Sequence, residues 1–156
     1  MMHELTYSII THIKAQVTEL VDVVWIYDGV TLTGKTKPFG TVEQMAGNTN
    51  IIAKEREYFE TFYRFQVGLH AKSIAERSRL QEKIKNALLQ PNIALLDTSQ
   101  PFPPPTVGFF YCDVLAVTPI PVADVTDETN KNLVYFDVEI YVQRKNGEAD
   151  LTKFEQ

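Results

Sequence analysis

The chain has little of what a catalytic or metal-binding centre requires. Its 156 residues include one cysteine, Cys112, and three histidines. His3 and His12 stand nine positions apart and His70 is isolated, so no group has the ligand spacing of a zinc site. A lone cysteine excludes an internal disulfide, and Cys112 lies in an apolar run, where a small buried side chain is expected. We therefore predict no catalytic residue, no cofactor and no metal.

Positive charge and long apolar runs are scarce as well. Lys and Arg total 15 against 20 Asp and Glu, a net charge of -5. A general binder of nucleic-acid backbones needs a clustered excess of cations instead. No apolar run approaches the roughly 20 residues of a membrane-spanning helix. The first residues lack the pattern of a signal peptide, so we expect the protein to be made and folded in the cytoplasm.

Two segments predict helices. The first has no Gly or Pro from residue 3 to residue 28, and its apolar residues recur every three or four positions. They are Leu5, Ile9, Ile13, Val17 and Leu20. The second begins at a capping box, Ser73 with Glu76, in which each side chain bonds a free backbone N–H. Leu80, Ile84, Ala87 and Leu88 then form its apolar face, and Pro91 ends it.

Five stretches predict strands, because they alternate in polarity or are rich in β-branched and aromatic residues. They are 21–27, 39–44, 59–70, 107–117 and 133–143. Between them we expect loops at 46–50 and 92–106, the second stiffened by prolines, and a solvated charged segment at 53–57. The order of elements predicts an α+β domain over residues 1–147. It would have a mostly antiparallel sheet of about four to five strands, two main helices on one face, and a polar tail at 148–156.

One motif points to different chemistry. Gly29 to Thr36 satisfies the phosphate-loop pattern G-x-x-x-x-G-K-T, which would indicate a nucleotide-binding enzyme. The mechanism requires a helix that begins at the Lys-Thr pair, so that its N-terminus faces the phosphates. Here Pro38, Gly40 and β-branched residues follow, which is a poor helix start. A turn-rich β-hairpin is the interpretation that we prefer.

Four pieces in order resemble the tail-completion, or tail-terminator, family of long-tailed bacteriophages, also described as tail-to-head joining proteins. The first is the N-terminal helix that leads into Val24-Trp-Ile-Tyr-Asp-Gly29, and the second is Phe39-Gly-Thr-Val-Glu43. The third is the strand Tyr63 to His70 with the helix that follows. The last is the strand Leu133 to Val142, so that the resemblance extends over most of the chain.

The resemblance implies an α+β fold whose copies form a ring, typically of six, at the head-proximal end of the tail tube. Such a ring is a structural part of the virion without catalysis. Its partners would be further copies of the chain, the tail-tube protein and the head-completion (stopper) protein. Genomic DNA would pass through without specific binding, and an acidic lumen would keep it from sticking.

Two sets of residues are candidates for these contacts. Aromatic side chains on otherwise polar strand faces suit a subunit interface, where Tyr and Phe are enriched. We therefore predict that Phe62, Arg64, Tyr135 and Tyr141 contact a neighbouring subunit. The acidic loop that contains Asp124, Asp127 and Glu128 is the candidate for a lumen-facing or tube-facing element.

Three other functions fit the same residues. A neighbouring component of the virion, such as a head-closure protein, a minor capsid protein or a tail-tube protein, would have a similar small fold. A nucleotide-dependent enzyme would use Gly29 to Thr36 and would depend on Lys35. A monomeric adaptor would bind its partner through the proline-rich stretch.

Overall fold

A computed structural model of the chain describes residues 1–27, 29–51 and 58–145, with the backbone alone at 48–51, 58–60 and 141–145. The helices are α1 (Met2–Gln16) and α2 (Ile74–Leu88). The strands are β1 (Val23–Ile26), β2 (Phe39–Ile51), β3 (Tyr58–His70), β4 (Ile93–Leu96), β5 (Thr106–Phe110), β6 (Asp113–Pro119) and β7 (Leu133–Lys145). Two short 3-10 helices, Val122–Asp124 and Glu128–Asn130, precede β7.

Five strands form one mixed sheet in the order β1-β2-β3-β7-β6. The β1–β2 pair is parallel, and the other three pairs are antiparallel. The remaining strands, β4 and β5, form a separate antiparallel pair. The predicted α+β class is confirmed, with a sheet that is mixed rather than purely antiparallel.

Both helices pack on one face of the sheet, which we call the inner face. Their buried side chains share a single core with alternate residues of the two central strands, which are Phe65, Val67, Leu69, Val134, Phe136, Val138 and Ile140. The capping box of α2 forms as predicted, with the Ser73 hydroxyl accepting from the Glu76 N–H at 3.1 Å. The Glu76 carboxylate accepts from the Lys72 N–H at 2.8 Å.

The pair β4–β5 packs against α1 on the same side. Ile93 and Leu95 are fully buried with the apolar face of α1. A buried serine of that helix, Ser8, accepts a hydrogen bond from the Leu96 N–H at 2.9 Å. This pair therefore extends the helical layer, and the proline-rich segment between β4 and β5 belongs to that layer.

Four predictions about the strands were wrong. The stretch 92–106 is not a loop throughout, because Ile93–Leu96 forms β4 and Thr106 begins β5. Residues 46–50 belong to β2, because they pair with β3 across a bulge, and they are not a loop. The stretch 107–117 is two strands in two different sheets, β5 and β6, instead of one. The link between β1 and β2 is not a hairpin, because these two strands run parallel. The charged segment 53–57 and the tail 148–156 lie outside the described residues.

Candidate functional site

The four residues predicted to contact a neighbour belong to the two central strands, β3 and β7. In the register of that pair, Phe62 lies opposite Tyr141, Arg64 opposite Glu139, and Gly68 opposite Tyr135. Core residues alternate with these positions, so Phe62, Arg64 and Tyr135 lie on the face away from the helices, which we call the outer face. The side chain of Tyr141 lies outside the described ones.

Arg64 is already partnered within the chain. Its Nε donates to the Glu139 carboxylate at 2.8 Å, as a direct cross-strand pair. The Glu139 side chain is only 15% exposed, so loss of the arginine would leave a nearly buried carboxylate without its ion pair. A neighbour that covers Arg64 would therefore meet a compensated charge.

Tyr135 has a role inside the subunit. Its ring lies over Gly68, where an added β-carbon would stand 3.5 Å from the ring and would overlap the Thr41 hydroxyl. Burial, and secondarily the carboxylate of Glu43, raises the pKa of the Tyr135 phenol. Tyr135 thus helps to line a cavity of about 120 Å³ on the outer face, which Gln66 and His70 also line, and it offers less surface to a partner than the sequence indicates.

The outer face also carries a groove that the sequence does not predict. Two β-bulges lie on either side of the central strands, one between Met45 and Asn48 in β2 and one between Val114 and Ala116 in β6. Between them lies a depression of about 360 Å³, which we call the outer groove. Its lining residues are Met45, Ala46, Arg64, Phe65, Leu115, Asp137 and Val138, of which Phe65 and Val138 also belong to the core beneath the sheet.

The rim of the outer groove is apolar and accessible. Leu115, the extra residue of the β6 bulge, is 57% exposed, and Met45 on the opposite side is 40% exposed. Bulges re-aim side chains and are frequent at functional sites. No other segment of the described chain fills the groove.

Two acidic side chains of the loop, Asp127 and Glu128, have hydrogen-bond or ion-pair partners within the chain. The Asp127 carboxylate accepts from the Thr129 N–H at 2.9 Å and from the Asn130 side chain at 3.1 Å. Glu128 forms an ion pair with Lys131 at 2.8 Å, which is the first cause of its lowered pKa. The ammonium of Lys37 donates to the backbone carbonyls of Glu128 and Lys131.

Further lysines surround the same loop. A cavity of about 400 Å³ is lined by Lys35, Lys37 and Lys72 together with Glu128. Asp124, in contrast, is exposed at the end of its 3-10 helix. The surface around the predicted lumen element is therefore mixed in charge.

The phosphate-loop pattern does not have phosphate-loop geometry. Gly29 and Gly34 have positive φ angles of 88° and 80°, as turn residues do. After Lys35 and Thr36 the chain passes Pro38 and enters strand β2 directly. A phosphate loop requires a helix that begins directly after the Lys-Thr pair. Here the next element of the described chain is a strand, so no helix N-terminus is available to bind a phosphate.

The other potentially reactive side chains are buried or lie far from one another. Burial raises the pKa of the Cys112 thiol to about 12, so the thiolate is scarcely populated at neutral pH. Among the described residues, no three His, Cys, Asp or Glu side chains are grouped so that they could hold a metal ion. None of the helices in the described ranges is long and apolar enough to cross a membrane.

His70 links the end of β3 to the acidic loop, and its burial predicts a pH dependence. The ring stacks on Phe39 at 4.4 Å, and its Nδ1 lies 2.8 Å from the Thr129 carbonyl oxygen. Burial lowers the pKa of His70 below 6.5, and Lys37 acts in the same direction, whereas the Thr129 carbonyl and Asp127 act against it. The unfolded chain therefore binds a proton more readily than the folded one.

We expect the free energy of unfolding to be highest above about pH 6.5 and to fall as the pH drops below it, toward the lower folded-state pKa of His70. Urea unfolding of the parent and of His70→Phe between about pH 7.5 and 5.5 checks this. The phenylalanine variant keeps an aromatic ring on Phe39 but cannot titrate, so its stability should depend less on pH. Equal pH slopes in the two proteins would contradict the assignment.

Comparison with protein-family models and with curated proteins finds no match for this chain.

Proposed function

We propose that the protein is a structural subunit that assembles into a ring and caps the head-proximal end of a phage tail tube. The observation that carries the proposal is the outer groove, an apolar-rimmed depression on a sheet face that the helices leave open. Exposed apolar surface gathered at one place marks protein–protein interaction sites. The resemblance of the chain to tail-terminator proteins then suggests that further copies of the chain occupy it.

The charge distribution suits a channel through which DNA passes without being bound. With a net charge of -5 the chain has no overall attraction for a phosphate backbone. Within the acidic loop, Asp124 is exposed and forms no ion pair among the described residues, so its charge would be free to repel a passing duplex. Genomic DNA, the tail-tube protein and the head-completion protein are the partners that this function implies.

The mass of the purified protein in solution tests the function. Light scattering over a range of concentrations, with and without tail-tube protein, should give a closed oligomer near six copies or caps on tube ends. Electron micrographs would distinguish a ring from a filament. Long filaments from the protein alone would indicate a tube component, and a monomer indifferent to tube protein would exclude the terminator function.

Phe62 gives a sharper test of the outer face as the contact surface. Phe62→Glu should abolish the ring or weaken it by at least about tenfold, because a buried unpaired carboxylate is costly at an interface. Phe62→Tyr keeps the aromatic surface and should assemble like the parent. The mass distribution of both variants is compared at equal concentration. Normal rings from Phe62→Glu would remove this residue from the interface.

A further inference from the structure

We propose that Phe102 of one copy inserts into the outer groove of the next copy, so that the ring contact runs head to tail. This inference rests on the proposed function and identifies the two surfaces that make its ring.

Phe102 projects from a stiff segment. Its side chain is 85% exposed, the highest value among the large hydrophobic residues of the described chain that are exposed. Pro101 precedes it and three prolines follow it, which restrict the backbone. The segment is tied down at its base, where the Asp97 N–H donates to the Pro105 carbonyl at 2.9 Å. Presenting the ring therefore costs little conformational entropy on binding.

The groove offers such a ring an apolar surface, and its charged lining residues are Arg64, which is already paired, and Asp137. Met45 and Leu115 offer flexible apolar walls, and the guanidinium of Arg64 is already held by Glu139. The segment that would enter is neutral, since residues 98 to 112 include no Asp, Glu, Lys or Arg. In a chain of net charge -5, a neutral segment can approach another copy with the least repulsion.

Phe102 cannot reach the groove of its own subunit. Phe102 lies in the segment between β4 and β5, and that pair packs on α1, on the inner side of the sheet. The groove opens on the outer face. A contact between two different surfaces of identical chains is heterologous, and repetition of it closes into a ring or extends as a filament. The occupant that satisfies both surfaces is therefore a second copy of this chain.

Two variants separate the two surfaces. Phe102→Ser removes the projecting aromatic side chain and keeps the groove. Leu115→Glu places a charge in the groove and keeps the Phe102 side chain. Each should raise the concentration for half-assembly by at least about tenfold. Val21 is 60% exposed, so Val21→Glu is a matched control for Leu115→Glu and should assemble normally. All three positions are exposed, and unchanged urea unfolding of the isolated subunits would exclude a folding defect.

Mixing the two variants gives the decisive result. At a concentration too low for either variant to assemble alone, a one-to-one mixture still contains one intact pair of Phe102 and groove, so it should form a dimer of twice the subunit mass. A mixture that stays monomeric, or a Phe102→Ser variant that assembles like the parent, would overturn the contact. In the second case rings would still form, so the proposed function would stand.

A parent protein that never assembles, alone or with tube protein, would instead contradict the proposed function. The contact is then tested directly with a synthetic peptide of residues 97–106, added to the protein while the Met45 methyl signal is followed by NMR. Binding that weakens at least about tenfold in the Phe102→Ser peptide would support the contact. No shift of the Met45 signal would overturn it.

Discussion

Phe65→Ala should lower the free energy of unfolding by about 3–5 kcal/mol, because it removes a large side chain from a close-packed core. Phe65 is 1% exposed and lies on the inner face of β3 with residues of both helices. The surrounding side chains can refill such a cavity only in part, so contact energy is lost in addition to the transfer energy. Urea unfolding of the isolated subunit measures the change.

Phe62→Ala is the control for that experiment, since it makes the same replacement three residues earlier on the other face of the same strand. Phe62 is half-buried, and we expect a cost of about 1 kcal/mol or less in the isolated subunit. Its main effect should be on assembly. Equal costs at the two positions would mean that the outer face is as important to the monomer as the inner core.

Gly47→Ala should lower the free energy of unfolding by about 3 kcal/mol, which is large for the addition of one methyl group. Gly47 lies in the bulge of β2, and a β-carbon there would overlap the carbonyl oxygen of Phe62 on the neighbouring strand. Backbone cannot rotate away as a side chain can. The strands must therefore separate locally, and the shape of the outer groove should change with them.

Gly40→Ala in the same strand is the matched control. A β-carbon at Gly40 would meet side chains of Leu20 and Val23 at 3.5 Å, an ordinary contact distance. We expect no loss, and up to about 1 kcal/mol of gain from the reduced freedom of the unfolded chain. Urea unfolding compares the two variants, and assembly assays on Gly47→Ala report on the groove. A Gly47→Ala protein as stable as Gly40→Ala would contradict the tight approach of β2 to β3.

The sequence predicted which face of the sheet carries the contact residues, but not which of them already have partners within the subunit. The polarity pattern of β3 and β7 correctly placed Phe62, Arg64 and Tyr135 on the face opposite the core. It could not indicate that Arg64 is paired with Glu139 or that Tyr135 covers Gly68, because the cross-strand register decides both. Likewise, the lysines that surround Glu128 come from segments distant in sequence.

Local sequence patterns were enough to predict the two helices, the central strands and the inward or outward direction of their side chains. These depend on local periodicity and on the capping box at Ser73, which act within a few residues. The tertiary structure alone decided the parallel β1–β2 pair, the division of 106–119 between two sheets, and the outer groove. A bulge exists only relative to a partner strand, so Met45 and Leu115 become the walls of one groove only when β2, β3, β7 and β6 have paired.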